Sequence, residues 1–565
     1  MSMKKLIIAA LLSSSFVYVH AQNFDAGKKM YYSQRFLSAN NEFQQEIAAN
    51  PNDGRAYFWQ ILSLSELNRI VDAKKIMAKI PQTITGNPYI NIARGFIALN
   101  DKDSIGAKKY FIDAIGNERR KDPAIQLAVA IANVESNNGD NLYAINLLEE
   151  ASRKDKKDAE LFITEGDAYR KLFDGSKAFA SYNNAIEADK SNAVAYYRLG
   201  KIFQTQNNRD LFLSYFNKAV EYDPKYAPAY YQLFYSFYKS SAEKAKSYLD
   251  LFIANSDNST QNDYLKVDMY YLLKNYADAV KTGNQIVNAE GNKTEARIYK
   301  LLAYCYDEQN NLPDAETQLK KYFSYDTDTA HYAAQDFDLM GKILENKNKM
   351  DEAAMWYQKA FARESDKIKQ LNYATKLSAF YKKQRDFINQ SLWLKELYKL
   401  KTNPNNVDLF NLGVAEYSAK QYKVADSVFA IYQNKYPEQP FGYYWRAKSN
   451  AAIDTAMETG IAVPHYENLI TVASKDLTNA TYKKWVIQAY GYIAAFKANK
   501  DKQYDSALVC YNKILSIDST NADALRYKDI LEKMIQNNHP DSSSNSQVDE
   551  NRNMEEKKED KKGNN

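Results

Sequence analysis

One four-point spacing recurs along this chain and restricts its fold to helix pairs. A small residue is followed twelve positions later by alanine, four later by a large residue, and three later by alanine again. Gly166, Ala178, Tyr182 and Ala185 carry it whole. Gly200, Phe212, Phe216 and Ala219 repeat it one period on, with Phe212 in the alanine's place and Pro224 closing the unit. Offsets of three and four mark one face of a helix. Short polar turns such as Gln206-Asn207-Asn208-Arg209 force the two helices of a unit antiparallel. In this register the small residue lets the second helix approach and the alanine sits under it. The large residue is expected to plug the space beneath the next pair. A chain of 565 residues is too long for one ordinary core, but an array escapes that limit because each unit buries its apolar face against its neighbours. The predicted fold class is all-α, a superhelical solenoid.

About fourteen such units can be followed. Gly27, Ala39, Phe43 and Pro51 mark the first, and Gly95, Ala107, Phe111 and Ala114 the third. Gly341, Ala353, Tyr357 and Ala360 mark another, as do Gly413, Ala425, Phe429 and Tyr432. The eighth unit is weak: Gly283 stands where the large residue belongs, after a loop from Ser256 to Gln261. That weakness predicts two arrays, 22–254 and 255–536. A second irregularity is expected where Asp454 to Val463 delays a second helix. Gly491, Ala507, Tyr511 and Ile514 form the last unit, and the amphipathic stretch Asn521 to Met534 is expected to cap the array. From Asn537 onward the chain is polar and charged with almost no apolar residue, which predicts a disordered tail.

The first 21 residues read as a secretory signal peptide. Lys4 and Lys5 start it, Leu6 to Leu12 is its apolar run, and Val19-His20-Ala21 offers a cleavage site before Gln22. No cysteine stands at that cut, so no lipid anchor is expected there, and no later stretch is long and apolar enough to span a membrane. The expected product is exported and periplasmic, held peripherally at the envelope through a partner. The net charge of +5 is small beside 75 basic and 70 acidic side chains, so nothing demands a nucleic acid. Cys305 and Cys510 each stand at a helical position and read as isolated buried thiols.

Catalysis finds little support. Of the four histidines, His20 leaves with the signal peptide and His539 lies in the tail; His331 and His465 have no ligand neighbours at metal spacing. There is no phosphate-binding Gly-Lys loop and no nucleophile elbow. The chain is expected to be no enzyme and to hold no cofactor or metal.

The register in Gly166, Ala178, Tyr182 and Ala185 resembles the tetratricopeptide repeat family, over nearly the whole chain from Asn23 to Gln536. That resemblance implies a right-handed superhelix, a hollow lined by first helices, and protein or peptide partners. In the family's chaperone-binding members a lysine and an asparagine hold a terminal carboxylate. The matching positions here are Ile163 and Asp167, then Tyr197 and Lys201, which argues against that ligand. The signal sequence with abundant asparagine, lysine and tyrosine is similar to exported repeat proteins of the Bacteroidota, and implies outer-membrane assembly, secretion or gliding machinery.

By the same register the hollow-facing positions include Asp167 and Arg170 in the fifth unit. Tyr197, Arg198 and Lys201 follow in the sixth, and Tyr231, Gln232, Tyr235 and Tyr238 in the seventh. Lys300, Tyr304 and Asp307 represent the ninth unit, and Phe410, Asn411 and Tyr417 the twelfth. Tyrosine gives a large flat contact at low entropic cost, so the group from Tyr197 to Tyr238 is the expected protein-binding surface. With 46 tyrosines in the chain, packing between helices is the competing role. A noncatalytic scaffold or adaptor is the expected function. The alternative is a peptidoglycan- or polysaccharide-associated protein, because the same rings stack on sugars.

Overall fold

The computed structural model describes residues 24–116, 122–325 and 331–538. The expected signal peptide, the junction at 117–121 and the polar tail beyond 538 lie outside them. Among the described residues there are helices and turns and no strand. The helices form fourteen successive antiparallel pairs and one final helix. The first pair is α1 (24–32) and α2 (Phe36–Ala49). The second pairs α3 (Gly54–Glu66) with α4 (Ile70–Met77), the third α5 (Pro88–Asn100) with α6 (Ser104–Ile115), and the fourth α7 (Pro123–Glu135) with α8 (Asn141–Lys154). Then come α9 (Ala159–Lys171) and α10 (Gly175–Ala188), α11 (Ala193–Thr205) and α12 (Arg209–Tyr222), α13 (Ala227–Phe237) and α14 (Ala242–Asn255). The eighth and ninth pairs are α15 (Thr260–Leu272) with α16 (Tyr276–Glu290) and α17 (Ala296–Glu308) with α18 (Leu312–Phe323).

The helices start where side chains satisfy their free N–H groups. Asp103, Asp140 and Asp174 each accept a backbone N–H at the start of a second helix, while Asp53, Asn87, Asp122, Asp158 and Asn192 do so for first helices. Between the two helices of most pairs one residue adopts the left-handed conformation, as Asn68, Lys102, Phe173 and Asn207 do. The carbonyls at the end of the first helix are thereby closed off, for example by Arg69 N–H bonding to Leu64 O.

The register meets in space. The large residue of a unit lies on the small residue of its own first helix and also packs against the next pair, as Tyr182 does on Leu199 and Ile202 and Phe429 on Trp445. A methyl group on Gly166 would come within 2.4 Å of the Tyr182 ring, and one on Gly200 within 2.5 Å of Phe216. Gly27 with Phe43, Gly95 with Phe111, Gly341 with Tyr357 and Gly413 with Phe429 repeat the contact. In the weak eighth unit the space beside Gly283 is taken by Leu302 of the following pair, so the packing continues without the aromatic ring.

Two compact units divide at Tyr322 and Phe323. The boundary expected at 254/255 therefore lies inside the first unit, which contains nine pairs. The second unit holds α19 (Ala334–Asn346) and α20 (Met350–Arg363), α21 (Lys367–Lys383) and α22 (Phe387–Leu400), α23 (Asn406–Ser418) and α24 (Tyr422–Lys435). It continues with α25 (Pro440–Ile453), α26 (Val463–Ala473), α27 (Ala480–Asn499), α28 (Tyr504–Ile517) and α29 (Ala522–Asn538). The expected irregularity before α26 is real: the Asp454 carboxylate accepts N–H groups from Glu458, Thr459 and Gly460 and holds the turn. The last unit departs from the register. Nothing fills the space beside Gly491, because the Tyr511 ring stacks on Tyr527 with centroids 5.6 Å apart. A cavity of about 540 Å³ opens there. Helix α29 caps the array only in part, burying Ala524 and Leu531 while Leu525, Tyr527, Ile530 and Met534 stay exposed.

Candidate partner-binding surfaces

Helices α11 and α13, with Tyr238 at the C-terminal end of α13, carry the seven side chains singled out by the register, and the structure divides them. Tyr197 is buried, its ring 5.8 Å from Phe216 and 5.5 Å edge-on from Tyr226. Arg198 forms an ion pair with Asp167 at 2.9 Å, and Tyr182 donates to the same carboxylate at 2.6 Å. These two residues, Tyr197 and Arg198, are therefore engaged in the unit's own packing. Lys201 donates to Gln204, which donates to Gln232, in a polar chain from α11 to α13. Tyr231 packs edge-on to Tyr235 at 4.8 Å and lies 5.1 Å from Phe252. Tyr235 is 47% exposed, and Tyr238 stands half-buried against Phe234. Of the expected surface, Tyr231, Tyr235 and Tyr238 remain as one aromatic cluster with a free side.

The chain's own beginning comes to the same region. The first pair reaches across to pairs five to eight. Lys28 and Tyr32 of α1 both bind the Glu160 carboxylate at 2.6 Å, and Lys29 pairs with Asp223 at 3.1 Å. Gln34, Tyr197 and Gln232 line one pocket beneath the first pair. Helix α2 has no capping side chain of its own. Its first N–H groups instead meet Asp257, which lies in the loop between α14 and α15. The Asp257 carboxylate accepts from Leu37 N at 2.8 Å, Ser38 N at 3.3 Å and the Ser38 hydroxyl. Arg35 lies 3.9 Å away on the same carboxylate. Asn262 fixes that loop by donating to Asp257 O at 3.0 Å. None of these partners was marked by the repeat spacing, since they stand in turns and on polar faces.

Beneath the clasp lies a group of charges. Glu135, at the end of α7, has its carboxyl pushed up to about 7, first by burial and then by Asp167 and Glu66, against the opposing pull of Arg198 and Lys171. The Tyr31 hydroxyl faces it and is raised too, by burial and then by Glu135. Lys171 donates to the carbonyls of Val134 and Ser136 at the same place. These groups hold one another, and among the described residues no His, Cys, Asp and Glu cluster suits a metal ion.

Elsewhere, Lys300 lies over the Tyr304 and Tyr322 rings at 5.9 and 5.7 Å. Arg170 and Asn411 are exposed, and Phe410 and Tyr417 join the aromatic packing around Trp445. Cys305 and Cys510 are free and buried. No helix among the described residues is long and apolar enough to cross a membrane.

The family model of the tetratricopeptide repeat matches residues 193–226, the pair formed by α11 and α12. Over 262 residues the chain is 25% identical to a TPR repeat-containing protein of Methanocaldococcus jannaschii, a match covering 44% of this chain and 45% of that protein. The chain thus spans under half the length of this curated relative. Among solved structures it is similar to the C-terminal part of a TPR repeat-containing protein from Cytophaga hutchinsonii, at 30% identity over 47% of this chain and 98% of that one, with a TM-score of 0.28. It is also similar to a tetratricopeptide repeat protein from Parabacteroides merdae, at 17% identity over 43% of this chain and 94% of the other, with a TM-score of 0.28.

Proposed function

The chain belongs to the tetratricopeptide repeat family, and from that premise we propose that it is a noncatalytic scaffold that holds proteins of the cell envelope together. Its protein-binding character rests on the successive helix pairs of each compact unit, which offer surfaces of aromatic and charged side chains. The observation that carries the contact site is the half-open cluster of Tyr231, Tyr235 and Tyr238 beside a hollow closed by the chain's own first pair. Aromatic rings already fixed against one another bind at little entropic cost. Export to the periplasm rests on Lys4-Lys5, the Leu6 to Leu12 run and the Val19-His20-Ala21 cut. A place in outer-membrane assembly, secretion or gliding machinery is the finer form of the same proposal.

Two measurements test it together. The native N-terminus should begin at Gln22 by mass; protein that keeps Met1 refutes export. Cross-linking in intact cells should capture envelope proteins with the chain. Capture of none, with retention on purified peptidoglycan instead, would favour the glycan-binding alternative and sink the scaffold reading.

A further inference from the structure

The second unit contains a lysine with no counter-charge. Lys448 of α25 sits half-buried with its ammonium 4.8 Å from the Trp445 ring, 5.1 Å from Tyr417 and 5.6 Å from Tyr444. Burial alone acts on it, lowering its pKa, and no carboxylate opposes that effect. Two residues away on the same helix the contrast is plain: Arg446 is paired with Asp426 at 2.9 Å. The cation rests on ring faces instead, which attract it but take none of its three hydrogen bonds.

Burial raises the Tyr492 pKa, and the Asp454 carboxylate, whose oxygens hold the turn at 458–460, adds to that. Tyr417 on α23, Tyr444 on α25, Tyr466 on α26 and Tyr492 on α27 bring their hydroxyls within electrostatic reach of one another. Tyr466 is buried at the floor, with its ring 4.6 Å from Tyr492. The Tyr492 hydroxyl is shielded from solvent and has no hydrogen-bond partner. A shielded polar group without a partner is costly in a finished fold. Around Lys448 the rings are held rigidly, Tyr444 stacking on Trp485 at 4.2 Å and Tyr417 standing edge-on to Trp445 at 5.1 Å.

We propose that this site takes an acidic side chain, an aspartate or glutamate carboxylate within an extended segment of a partner protein, with Lys448 as its cation and Tyr417 and Tyr444 as its hydroxyl donors. The complement of a cation held over aromatic rings without a counter-charge is an anion that accepts several hydrogen bonds. The flanking rings of Trp445 and Phe410 receive the apolar neighbours of the acidic residue, since both stand half-buried on the same side of α23 and α25.

The inference rests on the scaffold reading above, and its test is arranged to fail separately. The full-length chain is applied to an array of random dodecapeptides printed in pairs, each with its Asp and Glu residues intact and with those residues replaced by Asn and Gln. Retained peptides should lose binding about tenfold or more in the amide form. Lys448→Gln should abolish the same set, and Tyr444→Phe, which removes only a hydroxyl, should weaken it. Helical circular dichroism and melting temperature should stay unchanged in both variants. No retained peptide, or binding indifferent to the amide replacement or to Lys448→Gln, overturns the site. If Lys448→Gln loses the peptides yet keeps every envelope partner of the wild type, the acidic segment is not how those partners bind. The proposal then fails while the scaffold reading stands.

Discussion

At the scale of single residues, one helical step separates a core tyrosine from a surface one. Tyr197 and Tyr235 stand on first helices of adjacent pairs, Tyr235 one turn beyond Tyr231, the position that matches Tyr197. Tyr197 is 5% exposed and Tyr235 is 47% exposed. Truncating Tyr197 to alanine leaves a cavity against Phe216 and Tyr226, and should cost about 3–5 kcal/mol. The change Tyr235→Ala should stay within about 0.5 kcal/mol of the wild type in stability while weakening partner capture. Melting curves of the two variants side by side measure this, and equal losses would place Tyr235 in the core. Phe173 offers a change in the opposite direction. It is 96% exposed in a turn, with a φ of +61° that bulky side chains disfavour. Its neighbours in other turns, Asn68 and Asn207, show what the position accepts. Phe173→Asn should raise stability by about 0.5–1 kcal/mol, read as a higher melting temperature. No gain at all would mean that the ring contributes a contact in the native protein.

At the scale of helices, the pairs were legible and their long-range joining was not. The contact of Gly166 with Tyr182 is local: both residues sit in one unit, and the spacing that places them is a consequence of helical geometry. Fourteen pairs follow from that register, and so does the irregular turn held by Asp454. Gly283 shows the limit. Its missing ring looked like a break in the array, yet Leu302 from the next pair fills the space, and a substitution made in trans leaves no mark in a local pattern. Asp257 shows it more strongly. A lone aspartate in a polar loop looks like any other until the chain brings it to the N-terminus of α2, 220 residues away in sequence. There it serves as the cap that α2 lacks, and as an anion at the positive end of the helix. Asp257→Ala should therefore destabilise the first pair by about 1–2 kcal/mol. Hydrogen exchange should quicken in residues 24–49 and in Tyr197's helix. Unchanged protection there would show that the clasp is held by Glu160 and Asp223 alone.

At the scale of the first unit as a whole, the clasp encloses a carboxyl whose ionisation opposes it. Glu135 faces Tyr31 of the first pair, Glu66 and Asp167 as like or potential negative charges, and Arg198 and Lys171 as positive ones. Its pKa rises from 4.5 in the free group to about 7 in the fold. The folded state then binds the proton more tightly than the unfolded chain does. The resulting stability is fully present below about pH 4.5 and is lost as pH rises through about 7. Above that pH the buried anion works against closure of α1 over α7 and α9. Removing the charge but keeping the shape, as Glu135→Gln does, should raise the melting temperature at pH 8. The expected gain is on the order of 1–2 kcal/mol, discounted for the solvent that still reaches the side chain. The two proteins should converge as pH falls toward 4.5, where Glu135 is neutral in both states. Melting curves recorded from pH 5 to pH 8 measure the slope, and hydrogen exchange in residues 24–49 locates it. A variant that tracks the wild type at every pH would mean that Arg198 and Lys171 neutralise the carboxylate fully, leaving the clasp indifferent to protons.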